Sequence, residues 1–157
     1  MTELELMENL KSKLQGRILE LTNPDKRRIF LRVAPVELLN TVRLLHDEYG
    51  FWFVSTISGL DAGDDFEILY HFAGKETVLN LRVSVPKTDP RIDSITPVIP
   101  GAILYERELQ DMFGVVVDGI PDPRPLLLSD DWPAGQHPLR KDWTFNRPPE
   151  VIPGAKS

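Results

Sequence analysis

Eight of the chain's fourteen prolines fall between Pro121 and Pro153, and this density limits what the C-terminal end can become. Proline removes a backbone donor and is excluded from helix interiors and inner strands. Residues 119–157 therefore read as an extended tail, with a reach on the order of 120 Å if fully in polyproline form. Its side chains do not suit a free tail, which is usually charged and poor in aromatics. Leu126, Leu127, Leu128, Trp132, Leu139, Trp143 and Phe145 all seek burial. The tail is expected to finish folding against another protein, since large aromatics with arginine are the usual anchors of interfaces. Wrapping back over its own domain is the less favoured alternative.

Residues 1–118 read as one α+β domain: a mostly antiparallel sheet packed on helices. Leu4, Met7, Leu10 and Leu14 recur at helical steps, predicting an amphipathic helix over 3–14 that Gly16 stops. Arg17–Leu21 and Arg28–Val33 predict two strands joined by a turn at Asn23-Pro24-Asp25. Pro35 opens a second helix, with Val36, Leu39, Val42 and Leu45 as its buried stripe, Leu38 and Tyr49 beside them, and Gly50 as its end. Phe51–Ser58, Phe66–Phe72 and Val78–Val85 then predict an antiparallel meander with one face on the helices. The other face is left open to a partner. A proline-rich loop over 86–100, with a helical turn near Asp93–Thr96, leads to a helix over 102–113 ended by Gly114.

Composition closes several classes of function. The formal net charge of -6 opposes nucleic-acid binding, which relies on Lys and Arg neutralising phosphates. No apolar run approaches the roughly 18 residues of a membrane span, and the first residues lack the basic start of a signal peptide. The absence of cysteine removes thiolate nucleophiles, cysteine zinc sites and iron–sulfur ligation together. His46, His71 and His137 are too widely spaced to suggest a metal site. The chain is expected to hold no redox centre and no cofactor of its own.

Among the charged constellations, Glu106, Arg107, Glu108, Gln110 and Asp111 occupy the polar side of the 102–113 helix, opposite Tyr105, Leu109, Met112 and Phe113. Arg107 and Asp111 stand at the spacing of a helical ion pair. Glu106 and Glu108 diverge by about 200° around the helix, which argues against a catalytic carboxylate pair. Asp61, Asp64, Asp65 and Glu67 form an acidic turn that reads first as a solvated hairpin. The alternative is an independent small metal-dependent enzyme using that cluster. His137 has no visible partner and reads as structural.

Tyr105-Glu106-Arg107-Glu108, Asp111-Met112-Phe113-Gly114, Asp130-Asp131-Trp132 and His137-Pro138-Leu139-Arg140-Lys141-Asp142 together resemble the signature of one family. It is the C subunit family of the peripheral arm of respiratory complex I (NADH:quinone oxidoreductase), whose module also occurs in membrane-bound energy-converting [NiFe]-hydrogenases. The segment Gly119-Ile120-Pro121-Asp122-Pro123-Arg124-Pro125 looks closer to the hydrogenase-type branch. The resemblance implies a compact α+β domain without a cofactor, its extension lying along a large catalytic subunit and iron–sulfur subunits. Iron–sulfur clusters, and nickel–iron or flavin groups, would then belong to those partners. The chain would be a non-catalytic structural subunit at the cytoplasmic face, reaching the membrane through its partners. Arg107, Arg140 and Lys141 are expected to pair with partner carboxylates, and Glu106, Glu108, Asp111 and Asp142 with partner cations. Phe113, Gly114, Trp132, His137, Pro138, Leu139 and Trp143 complete the expected interface.

Overall fold

Local rules account for the first elements of the computed structural model, which describes residues 1–145. Thr2 and Glu5 form a capping box that starts α1 (Glu3–Lys13). The helix buries Leu6 and Leu10, with Leu14 just beyond it, while Leu4 points outward. The Leu6-Leu10-Leu14 series is therefore the true apolar stripe. Strands β1 (Ile18–Asp25) and β2 (Arg28–Val33) meet at Lys26-Arg27, later than the expected turn. Pro24 is tolerated inside β1 because that strand is an edge and its pairing is irregular between Thr22 and Asp25. Arg27 takes the positive φ of 65° that closes the turn, with its N–H held by the Glu3 carboxylate.

Pro35 opens a short 3-10 turn, Pro35–Glu37, before α2 (Leu38–Tyr49). The buried stripe of α2 is Leu38, Thr41, Val42 and Leu45, and Val36 is left exposed by the tighter first turn. Phe51 is buried but Trp52 and Phe53 are exposed, so β3 begins only at Val54 and runs to Asp61. With β4 (Asp65–Ala73) and β5 (Val78–Pro86) it forms the antiparallel meander. The five-stranded sheet has the order β1-β2-β5-β4-β3, with β2 parallel to β5. A second, two-stranded parallel sheet joins β6 (Arg91–Asp93) and β7 (Val116–Asp118). Each of these strands has three residues, too few to show periodicity in sequence.

Alternation along the strands separates the two faces of the large sheet. Ile29, Leu31 and Val33 of β2, Phe66, Ile68, Tyr70 and Phe72 of β4, and Leu79, Leu81, Val83 and Val85 of β5 share one core with Leu6, Leu10, Leu38, Val42 and Leu45. The opposite face carries Phe30, Arg32, Glu67, Leu69, His71, Arg82 and Ser84, all half-buried. The last helix, α3 (Ile103–Phe113), follows a 3-10 turn at Pro100–Ala102 and packs on β3. Gly59 permits this approach, because a β-carbon there would overlap the Phe113 ring. The α+β class is therefore the observed one. Among the described residues no helix is long and apolar enough to cross a membrane.

Candidate functional site

Helix α3 ends where its unsatisfied carbonyls need partners, and the tail supplies them. Gly114 adopts the left-handed conformation at φ 70° and turns the chain away. His137 Nδ1–H donates to the carbonyl of Asp111 at 2.9 Å. The backbone N–H of Leu139 donates to Met112 at 3.0 Å, and Arg140 Nε donates to Phe113 at 2.6 Å. A guanidinium at this position also suits the negative end of the helix dipole. The His137-Pro138-Leu139-Arg140 run is thus a helix cap supplied from the tail.

The flank of α3 holds an earlier part of the tail. Arg107 donates to the carbonyls of Arg124 and Pro125 at 2.8 and 3.0 Å, and lies 3.5 Å from the Asp122 carboxylate. One oxygen of Asp111 accepts the N–H groups of Leu126, Leu127 and Leu128 at 2.8, 2.7 and 3.2 Å. Arg107 and Asp111 do not pair with each other; they clamp opposite sides of one loop, one taking carbonyls and the other N–H groups.

A third anchor lies on the sheet. Arg140 stands over the Phe66 ring at 5.0 Å, with Lys87 at 5.3 Å from the same ring. Asp61 is buried, pairs with Lys87 at 2.6 Å, and accepts the N–H of Lys141 at 2.9 Å and of Gly63 at 3.1 Å. The Lys87 ammonium beside it holds its carboxyl down at about 2, so it stays ionised across the physiological range. The acidic turn therefore fastens the tail with its first carboxylate, while Glu67 faces Arg82 at 3.7 Å. Among the described residues no group of three metal-ligating side chains converges.

Several expected interface residues turn out to be internal. Glu106 is fully buried, accepting from the Ser94 hydroxyl and the Ile95 N–H, each at 2.7 Å. It shares the inward stripe of Ala102, Leu109 and Phe113, a spacing that marked it as buried had charge not suggested otherwise. Burial pushes its carboxyl above the usual glutamate value. Asp111 and Phe113 are also buried, and Arg107 is nearly so. Glu106 and Asp111 are thus not placed to meet partner cations, nor Arg107 partner carboxylates, because this chain's own groups occupy them; Arg140 commits its Nε to Phe113. Sequence reasoning missed Ser94, Asp61 and Lys87 as members of the site.

The outer surface of the clasp is different. Leu126, Leu127, Leu139 and Phe145 are exposed. Trp132 and Trp143 lie 5.8 Å apart, and Trp143 and Phe145 6.0 Å apart. Both indole N–H groups donate to Gln136, one to its carbonyl and one to its side chain. Glu108, Lys141 and Asp142 are exposed, and Pro138 is half-buried. The tail thus binds its own domain through polar groups while it turns apolar groups outward, contrary to a choice of one or the other. Residues 146–157 of the expected tail lie outside the described residues.

Fold and clasp define a class: an α+β domain that fastens its C-terminal extension to its last helix. A family model described as the respiratory-chain NADH dehydrogenase 30 Kd subunit matches residues 31–149. The chain belongs to that family. It is 32% identical over 142 residues to formate hydrogenlyase subunit 5 of Escherichia coli, covering 85% of this chain and 24% of that protein. It is 36% identical over 126 residues to the NADH-quinone oxidoreductase C subunit of a Nocardioides species, covering 75% of this chain and 50% of the relative. The chain thus spans half or less of these two relatives. A chain in the membrane-bound sulfane sulfur reductase, an archaeal respiratory membrane complex, superposes with a TM-score of 0.80 at 23% identity, covering 90% of this chain and 85% of that one. That likeness shows a shared fold.

Proposed function

We propose that this chain is a non-catalytic structural subunit in the peripheral arm of a complex-I-like oxidoreductase, of the quinone-reducing or energy-converting hydrogenase kind. Its neighbours are the large catalytic subunit and the iron–sulfur subunits, and it reaches the cytoplasmic face of the membrane through them. Family membership supports the assembly. The observation that carries the role is the clasp, which holds the tail by polar groups and leaves Leu126, Leu127, Leu139 and Phe145 uncovered. A pinned segment loses little further entropy on docking, so its apolar area is available for affinity. Each large side chain covered by a partner contributes about 1.5–3 kcal/mol by area. Iron–sulfur clusters are held by cysteine thiolates, and this chain has none, which supports assigning the clusters to the partners.

The test keeps the clasp intact. Trp143→Ala with Phe145→Ala, in the full chain, is expected to leave the circular dichroism spectrum unchanged and to reduce co-purification with the membrane-bound oxidoreductase subunits at least tenfold. Undiminished co-purification would overturn the docking role. The metal-enzyme alternative gains no support from the acidic turn, since Asp61 is already neutralised by Lys87.

A further inference from the structure

The open face of the large sheet carries a juxtaposition that the clasp does not use. Arg32 on β2 and Arg82 on β5 are direct partners in the parallel register, so their side chains rise together from one face. Like charges directly opposite each other in a sheet are destabilising. The chain is acidic overall, which makes the pairing of two cations here run against its general balance. Neither charge is well matched. Arg32 donates to the Ser84 hydroxyl at 2.8 Å. The one ion pair either arginine makes among the described residues is Arg82 to Glu67 at 3.7 Å. Glu20, opposite Arg32 on β1, stays exposed.

The two guanidiniums line a hollow of about 210 Å³ together with Glu20, Thr22, Phe30 and Leu31. We propose that this Arg32–Arg82 hollow docks a carboxylate side chain from an acidic segment of another polypeptide. A guanidinium fork matches the two oxygens of a carboxylate, and two adjacent forks share one such anion with good geometry. The flanking Glu20 and Glu67 favour a singly charged guest over a doubly charged phosphate. Phe30 beside the arginines gives the combination of aromatic and guanidinium that is enriched at protein interfaces. The guest removes the repulsion between the arginines and is bound by doing so. This site goes beyond the proposed function, since its lining includes no residue of α3 or of the described part of the tail.

The experiment is a titration of the full chain, followed through the arginine Nε–H resonances by NMR at low salt. A glutamate- and leucine-containing decapeptide, inorganic phosphate, and phosphatidylglycerol vesicles form separate arms. The peptide is expected to shift the Arg32 and Arg82 signals saturably. Binding is expected to be at least tenfold weaker in both Arg32→Gln and Arg82→Gln, and Arg32→Gln is expected to melt at an unchanged or higher temperature. Absence of peptide binding, its persistence in both variants, equal or tighter binding of phosphate or vesicles, or a lowered melting temperature in Arg32→Gln would each overturn the proposal. The tail is intact throughout, so the outcome is separate from that of the Trp143 and Phe145 substitutions.

Discussion

Glu106 and Asp111 lie on the same helix, and both carboxylates accept hydrogen bonds inside the molecule. Asp111 gathers three backbone N–H groups of the tail, whereas Glu106 satisfies a hydroxyl and one N–H within the domain. Desolvation dominates at Glu106 and raises its pKa from 4.5. The folded chain then binds this proton more tightly than the unfolded chain, so its contribution to stability declines as pH rises through 4.5 towards the raised value. Glutamine keeps an acceptor for Ile95 without the ionisation. Glu106→Gln is expected to match wild-type stability at neutral pH and to flatten the profile just above pH 4.5. Glu106→Leu is expected to lose about 1–3 kcal/mol, because the buried Ile95 N–H is left without an acceptor and the Ser94 hydroxyl keeps only Thr96 as a partner. Urea denaturation at about pH 5 and about pH 7 measures both. A loss as large for glutamine as for leucine would contradict this account of Glu106.

Helix α3 works as an element because both its flank and its C-terminal end are shared with the tail. Gly114 is the position where the two meet. A β-carbon there would overlap the His137 ring and the Arg140 guanidinium, in a conformation at φ 70° that other residues resist. Gly114→Ala is expected to cost at least about 1–2 kcal/mol from conformation alone and to detach the cap. Tryptophan fluorescence, together with thermal melting, follows both effects; an unchanged emission spectrum would count against the cap. The helix boundaries, the alternation in β4 and β5 and the glycine stop were legible in sequence, because each rests on local spacing. The β1–β2 turn was not, since Pro24 suits an irregular edge strand as well as a turn. The partners of Arg107 and Asp111 were equally hidden: their helical spacing is compatible with pairing, and only the position of residues 122–128 decides otherwise.

At the scale of the whole molecule, the domain and its tail divide two tasks. Asp61, Asp111, Arg107 and Arg140 fix the tail from within, and Leu126, Leu127, Leu139 and Phe145 of the tail face out. The apolar composition of the tail was readable from sequence. The polar attachment was not, because a tail's backbone N–H and carbonyl groups give no sequence signal of their own. Hydrogen–deuterium exchange of the full chain, alone and within its native complex, tests the account most directly. The amides of Leu126, Leu127, Leu128, Leu139 and Lys141 are expected to be protected already in the isolated chain, with protection at Thr144 and Phe145 rising only on assembly. Rapid exchange at Leu126–Leu128 in the isolated chain, or no added protection at Thr144 and Phe145 in the complex, would contradict it.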